Sequence, residues 1–212
     1  MEKEKIILIG GGGHCRSCID IIEKENRFEI YGILDLPANI GQEVLGYPII
    51  GSDEDLDKLM ETYDNFLITL GHKLSASVRL QLYNKLKSKN KILPTIISPL
   101  AHVSRHASIG EGSIIMHGAI INSSATIGSN CIINTSAIIE HDVTVGSNCH
   151  VSSSSVINGG ATIGEQCFIA SNVVLRDNIV VGDNVIIGMG SVVVVDAIKR
   201  GVYFGSPAKF NR

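Results

Sequence analysis

The chain has 212 residues, enough for one large domain or two small ones. Hydrophobic residues make up 44% and charged residues 18%, below the roughly 25% of ordinary globular domains, so disorder is excluded. A net charge of −3 offers no basic footprint for nucleic acid, and no apolar run reaches the ~18 residues that span a membrane.

Met1-Glu-Lys-Glu-Lys5 precedes an apolar stretch, residues 6–9, too short for a signal peptide; it reads as a first strand. Gly10-Gly-Gly-Gly13 follows, and a helix is expected from His14 to about Lys24. Residues 30–34 form a second strand ending at Asp35, and residues 49–51 a short one. Ser52 should cap a helix over 53–61. A strand at 66–70 ends at Gly71, and residues 75–89 form an amphipathic helix with Val78, Leu82 and Leu86 on one face. Residues 92–97 read as an edge strand because Pro94 interrupts them, and 98–102 as a linker. Alternating strands and helices imply a small, Rossmann-like parallel sheet.

From Val103 the chain divides into sixteen hexads without insertion, ending at Ile198. The first position is Val, Ile or Leu in every hexad, and the fifth is Ala, Ser, Cys, Val or Ile. Gly or another turn-tolerant residue commonly fills the second. Ile and Val supply 31 of these 96 residues, which favours strands. Three hexads should close one triangular coil of 18 residues, with the first position filling the prism and the small fifth position letting the chain turn inward at a corner. Each coil buries its apolar side only by stacking on its neighbours. Cys131, Cys149 and Cys167 stack in this register as small apolar filling. The five cysteines are an odd number without secretory context, so free thiols and a cytoplasmic setting are expected.

The strand ends and the repeat each offer candidate chemistry. Gly12-Gly13-His14, Asp35 and Gly71 all fall at the carboxyl ends of strands, where sheets of this kind bind nucleotides or sugars. The glycine run fits a dinucleotide fingerprint only in part, since Cys15 stands at the third glycine. In the repeat, Glu140-His141-Asp142 concentrates titratable groups. His141 is the third residue of its hexad and should project outward, with Asp142 beside it to hold its Nδ1–H, the arrangement of a general base. One coil onward lie Gly159 and Gly160, whose bare backbone lets a ligand approach N–H donors. His150 ends its hexad and reads as a corner residue.

The hexad pattern resembles the hexapeptide-repeat acyltransferases, which form left-handed parallel β-helices. The whole chain resembles bacterial sugar acetyltransferases: the nucleotide-sugar 4-amino N-acetyltransferases and the sialic acid O-acetyltransferases. The matching features are Ile9, Gly10, Gly13 and His14 at the N-terminus, the stretch Asn134-Thr-Ser-Ala-Ile-Ile-Glu-His-Asp142, and the tail Gly205-Ser-Pro-Ala-Lys209. The resemblance implies a small α/β Rossmann-like nucleotide-sugar-binding domain at 1–98. A left-handed β-helix of hexapeptide repeats with a C-terminal tail follows at 99–212. It further implies acetyl transfer from acetyl-CoA, a co-substrate, to the amine of a nucleotide-linked amino sugar of the UDP-4-amino-4,6-dideoxy type. His141 would be the general base, Asp142 would tune it and Asn134 would place the acceptor. His150 and Gly159 would contact the thioester region, and Ser171 and Met189 would line the coenzyme groove. Gly12, Gly13, His14, Asp35 and Gly71 would hold the nucleotide. No metal is implied, and the active sites would lie between the β-helices of a homotrimer.

Three other readings compete. The acceptor could be the hydroxyl of a sialic-acid-like sugar acid. A metal enzyme of the carbonic anhydrase type would need His117, His141 and His150 to converge, and their spacings do not suggest it. A non-catalytic sugar-nucleotide binder would lack CoA binding.

Overall fold

A computed structural model describes residues 3–72 and 75–211 of the chain. The N-terminal part is built on β1 (Glu4–Ile9), β2 (Phe28–Leu34), β3 (Glu43–Val44), β4 (Tyr47–Gly51) and β5 (Asn65–Ile68), in the order β3-β4-β2-β1-β5. All pairings are parallel except β3 with β4. The helices are α1 (Gly13–Glu25), α2 (Leu56–Thr62) and α3 (Ser77–Ser88). The chain order reverses at β1, whose neighbours are β2 and β5, so the crevice at its carboxyl end is the switch point where ligands bind. Ser52 caps a short 3-10 turn that leads into α2: its Oγ accepts from Glu54 N, and Asp55 returns a bond to Ser52 N.

Two elements depart from the sequence reading. On α3 the buried positions are Arg79, Leu82 and Leu86, while Val78 is 54% exposed. The start of this helix faces backbone carbonyls rather than apolar side chains, so a donor belongs there. Within 92–97, Ile92 alone bridges Asn65 at the β5 edge of the N-terminal sheet, and the strand Ile96–Ile97 pairs instead with Ile114–Ile115 of the repeat.

The repeat forms a three-faced parallel β-helix. Two-residue strands pair with strands 18 positions away, as in Ile120↔Ile138, Thr126↔Thr144 and Ile132↔His150, and build one sheet per face. First-position residues such as Ile121, Ile139 and Ile157 and fifth-position residues such as Ala119, Ala137 and Ala161 fill the interior. The corner itself is turned by the fourth position, which takes the left-handed conformation at Asn130, Ser136, Asp142 and Asn148 (φ 55°, 57°, 61° and 61°). Gly, Asn, Asp and Ser tolerate this region best. Second-position Gly128 serves close stacking: a Cβ there would lie 2.6 Å from Ser147 N of the next coil. The cysteine ladder is buried, and each thiol donates to a carbonyl of the next coil (Cys131 to Gly146 O, Cys149 to Gly164 O, Cys167 to Gly182 O).

The N-terminal part packs on one face of the prism. Ile19 and Ile22 of α1 share a core with Ile96, Ile114 and Ile132. Polar bonds lock the same seam. His117 joins Asp20 Oδ2 through Nε2 and Ser98 Oγ through Nδ1, each at 2.6 Å. Tyr83 OH donates to Glu111 at 2.8 Å.

Candidate active site

His141 stands at the corner opposite the face that the N-terminal part covers. The preceding residues place it: Ile138–Ile139 is a strand, and left-handed Asp142 turns the chain. This turn brings Asp142 Oδ2 to 2.8 Å from His141 Nδ1, so the expected contact is made. The ring is 64% exposed and lies over the next coil, where a Cβ on Gly159 would come within 2.7 Å of His141 Cε1. Gly159 is therefore the floor on which the ring rests. The hydrogen bond that His141 Nδ1–H donates to Asp142 is the main cause that raises the His141 pKa above its ordinary value. With Nδ1–H held by Asp142, Nε2 is the proton acceptor of the ring, and no hydrogen-bond partner engages it among the described residues. Gly160 N–H is already given to His141 O at 3.0 Å, so this glycine offers no donor to a ligand. Glu140, Asp142 and Asp177 line the surrounding groove together with Asn158 and Asn178, and no Lys or Arg is among the described residues that line it.

A second candidate site lies within the N-terminal part. Gly12 caps α1 and Gly13 opens it; a Cβ on either would enter open space. With His14, Thr69, Gly71 and Ser75 they line a groove of about 460 Å3 at the β1 switch point. The N-terminus of α1 faces it, as a phosphate requires. Asp35 stands at the neighbouring strand end, accepts from Asn39 at 3.0 Å, and lies outside the residues lining this groove. Burial pushes the His14 pKa down to about 3, so its ring is neutral, and its Nε2 has no partner among the described residues.

His150 lies at the seam between the two parts of the chain rather than at an open corner. It is 8% exposed, its Nδ1–H donates to His72 O at 2.8 Å, and its Nε2 accepts from Asn134 Nδ2 at 3.2 Å. Phe168 packs edge-on against its ring, and burial pushes its pKa down to about 4. Both nitrogens are engaged and the charge is suppressed, so His150 fixes Asn134. Asn134 thus joins His150 and does not touch His141. Ser171 and Met189 stack at a different corner from His141, with Gly190 N bonded to Ser171 O and Met189 80% exposed. Within one chain the candidate residues therefore form separate groups. His117, His141 and His150 occupy three different places, and no metal-holding cluster of His, Cys, Asp or Glu occurs among the described residues. Sequence reasoning missed His72 and Arg79. His72 was an isolated histidine, and Arg79 was hidden by the apolar pattern assigned through Val78.

The chain matches the family PglD N-terminal domain over residues 5–86 and the family bacterial transferase hexapeptide (six repeats) over 124–159 and 160–194. No curated protein matches it significantly. Among solved structures it is similar to PerB from Caulobacter crescentus in complex with CoA and GDP-perosamine, with 31% identity, 98% of this chain and 97% of that one covered, and a TM-score of 0.91. It is also similar to the acetyltransferase domain of PglB from Neisseria gonorrhoeae in complex with acetyl coenzyme A, with 28% identity, 99% and 100% covered, and a TM-score of 0.90. WeeI from Acinetobacter baumannii shares the fold at 18% identity, with 99% and 100% covered and a TM-score of 0.57.

Proposed function

This chain belongs to the hexapeptide-repeat sugar N-acetyltransferases with a PglD-type N-terminal domain, acetyl-CoA-dependent enzymes that acetylate nucleotide-linked amino sugars, and we propose that His141 is its general base. The observation that carries this reading is the His141–Asp142 pair, held over Gly159 in an open groove with Nε2 free.

In this mechanism the sugar amine attacks the thioester carbonyl of acetyl-CoA. A C–N bond forms, His141 Nε2 takes the amine proton, and the tetrahedral intermediate collapses by breaking the C–S bond. The proton passes to the departing sulfur, and CoA leaves as a thiol. Holding both substrates in line removes much of the entropic barrier, so no covalent enzyme intermediate is required. Gly159 N–H, which has no acceptor among the described residues, is a backbone donor left for the developing oxyanion on the residue beneath the ring.

The acceptor is read as a 4-amino-4,6-dideoxy-sugar on UDP, with the diphosphate at Gly12, Gly13, His14 and Gly71 and with Asp35 toward the nucleoside. The groove around His141 supports an amine over a sugar acid. Three carboxylates and no described cation attract an ammonium and repel a carboxylate. Release of free thiol from acetyl-CoA, screened over UDP- and GDP-linked 4-amino sugars and free sialic acids, tests the reading. Turnover with a sialic acid and none with any nucleotide amino sugar would overturn it.

The separation of His141 from the nucleotide groove supports a site shared between copies in a homotrimer. In that arrangement the corner of one prism faces the nucleotide groove of the next chain, and Ser171 and Met189 line the coenzyme groove between them. Mixing His141→Ala protein with a Gly13→Val protein, each inactive alone, should restore part of the activity. No recovery after exchange of subunits is demonstrated would refute the shared site. No helix among the described residues is long and apolar enough to cross a membrane, and five free cysteines support a cytoplasmic setting.

A further inference from the structure

The groove at the β1 switch point poses an electrostatic problem. A nucleoside diphosphate carries two or more negative charges, yet no Lys or Arg is among the described residues that line the groove. The nearest buried cation is Arg79, only 3% exposed. Its Nη1 donates to Ile68 O and Leu70 O, each at 2.7 Å, and its Nη2 donates to Asn130 O at 3.2 Å and Asn130 Oδ1 at 2.7 Å. Every acceptor is neutral. A buried guanidinium normally meets a carboxylate; among the described residues this one is held by carbonyl dipoles alone, with no carboxylate to cancel its charge.

One of these carbonyls, Leu70 O, belongs to a residue of the groove wall. In a planar trans peptide the N–H points opposite to the C=O. With Leu70 O turned onto Arg79, the Gly71 N–H points away from it, on the side where Gly71 lines the groove. Resting on the reading that this groove takes a nucleoside diphosphate, we propose that Arg79 is its cation and acts without contact. It supplies positive potential from beneath the wall and orients the Leu70–Gly71 peptide so that an N–H faces the phosphate. The same side chain grips Asn130 at a corner of the β-helix, so one residue builds the groove and docks the two parts of the chain. After burial itself, the Arg79 charge is among the causes that lower the pKa of His14 on the groove wall, so its field reaches the ligand's place. Burial lowers the Arg79 pKa to about 10, which leaves it charged at neutral pH.

Asn130→Asp separates charge from architecture. An aspartate tolerates the left-handed turn at φ 55° and still accepts from Arg79. Asn148, which now accepts from Asn130 Nδ2 through its Oδ1, can rotate its amide to donate. The variant neutralises the guanidinium while leaving it in place. Titration calorimetry with UDP, GDP and the matching uncharged nucleosides provides the readout. The expected result is a folded protein whose nucleoside-diphosphate affinity falls about tenfold while nucleoside affinity is unchanged. Arg79→Lys, with one point charge and no fork, should lose affinity for both, because the peptide is no longer held. Equal loss for nucleoside and diphosphate in Asn130→Asp, or no loss, overturns the proposal. So does a Lys73→Ala variant that alone abolishes the preference for the diphosphate. If the unaltered protein binds neither UDP nor GDP, the reading of the groove itself has failed.

Discussion

The histidine of the exposed corner and those in buried surroundings have the same side chain and opposite fates. His141 stands in water with a carboxylate on Nδ1, and its pKa rises. His72 and His150 pack together where the two parts of the chain meet, His14 lines the groove at the β1 switch point, and burial drives the pKa values of His14, His72 and His150 to about 3, 4 and 4. The first arrangement leaves an exposed ring whose charged form the neighbouring carboxylate favours. The second yields rigid neutral donors and acceptors, useful for placing a ligand and unsuited to proton transfer. Histidine content alone therefore says little about catalysis; what packs against each ring decides its role.

The strongest test of this contrast is His141→Ala. It should lower kcat by about 10²- to 10⁴-fold and leave the KM for both substrates nearly unchanged, as steady-state thiol release will show. His150→Ala should act differently, raising KM by loosening Asn134. Comparable kcat losses for the two would collapse the distinction.

Next in size is Gly159→Ala. The Gly159 backbone suits any residue, but the added methyl meets His141 Cε1 at 2.7 Å and must push the ring aside. A kcat loss of about 10- to 100-fold at unchanged melting temperature is expected.

Gly13→Ala tests the groove at the β1 switch point. The methyl enters open groove space, so KM for the nucleotide sugar should rise about tenfold. Kd for acetyl-CoA should hold, and stability should not fall, since alanine favours the helix that Gly13 opens.

The buried histidines also predict acid sensitivity. His72 and His150 have folded pKa values of about 4 against 6.5 unfolded, so the unfolded chain binds more protons between these limits. Stability is complete above about 6.5 and declines as pH falls toward 4, by on the order of 1 kcal/mol per pH unit for each histidine. Calorimetric melting from pH 7 to pH 4 checks it, and a flat profile would refute the buried, neutral assignment.

The smallest effect is Asp142→Asn. Because the Asp142 bond raises the His141 pKa, its loss should move the acid limb of the kcat/KM profile to lower pH. A limb that stays in place would dissociate Asp142 from the base.

Much of the repeat was legible because its contacts are local in register. An aliphatic first position and a small fifth position, recurring every six residues, specify an 18-residue coil whose partners are its own neighbours. The left-handed fourth position was overlooked, since Asn, Ser and Asp there read as ordinary turn residues until φ is known. His141, Asp142 and Gly159 were also legible: adjacency and an 18-residue offset suffice to bring them together. His150 was placed at an open corner and lies buried, because its cover comes from His72, 78 positions earlier. Val78 was assigned to the inner face in place of Arg79 for a related reason. Apolar spacing cannot register that this stretch of helix faces carbonyls.

The sequence by itself determined the prism, its period and the meeting of His141, Asp142 and Gly159 at one corner, since each depends on residues in fixed register along one chain segment. Only the tertiary structure decided which face the N-terminal part covers, which histidines are neutral, and that Arg79 meets no counter-charge among the described residues. Those properties arise from desolvation, and desolvation depends on surfaces brought together from distant parts of the chain.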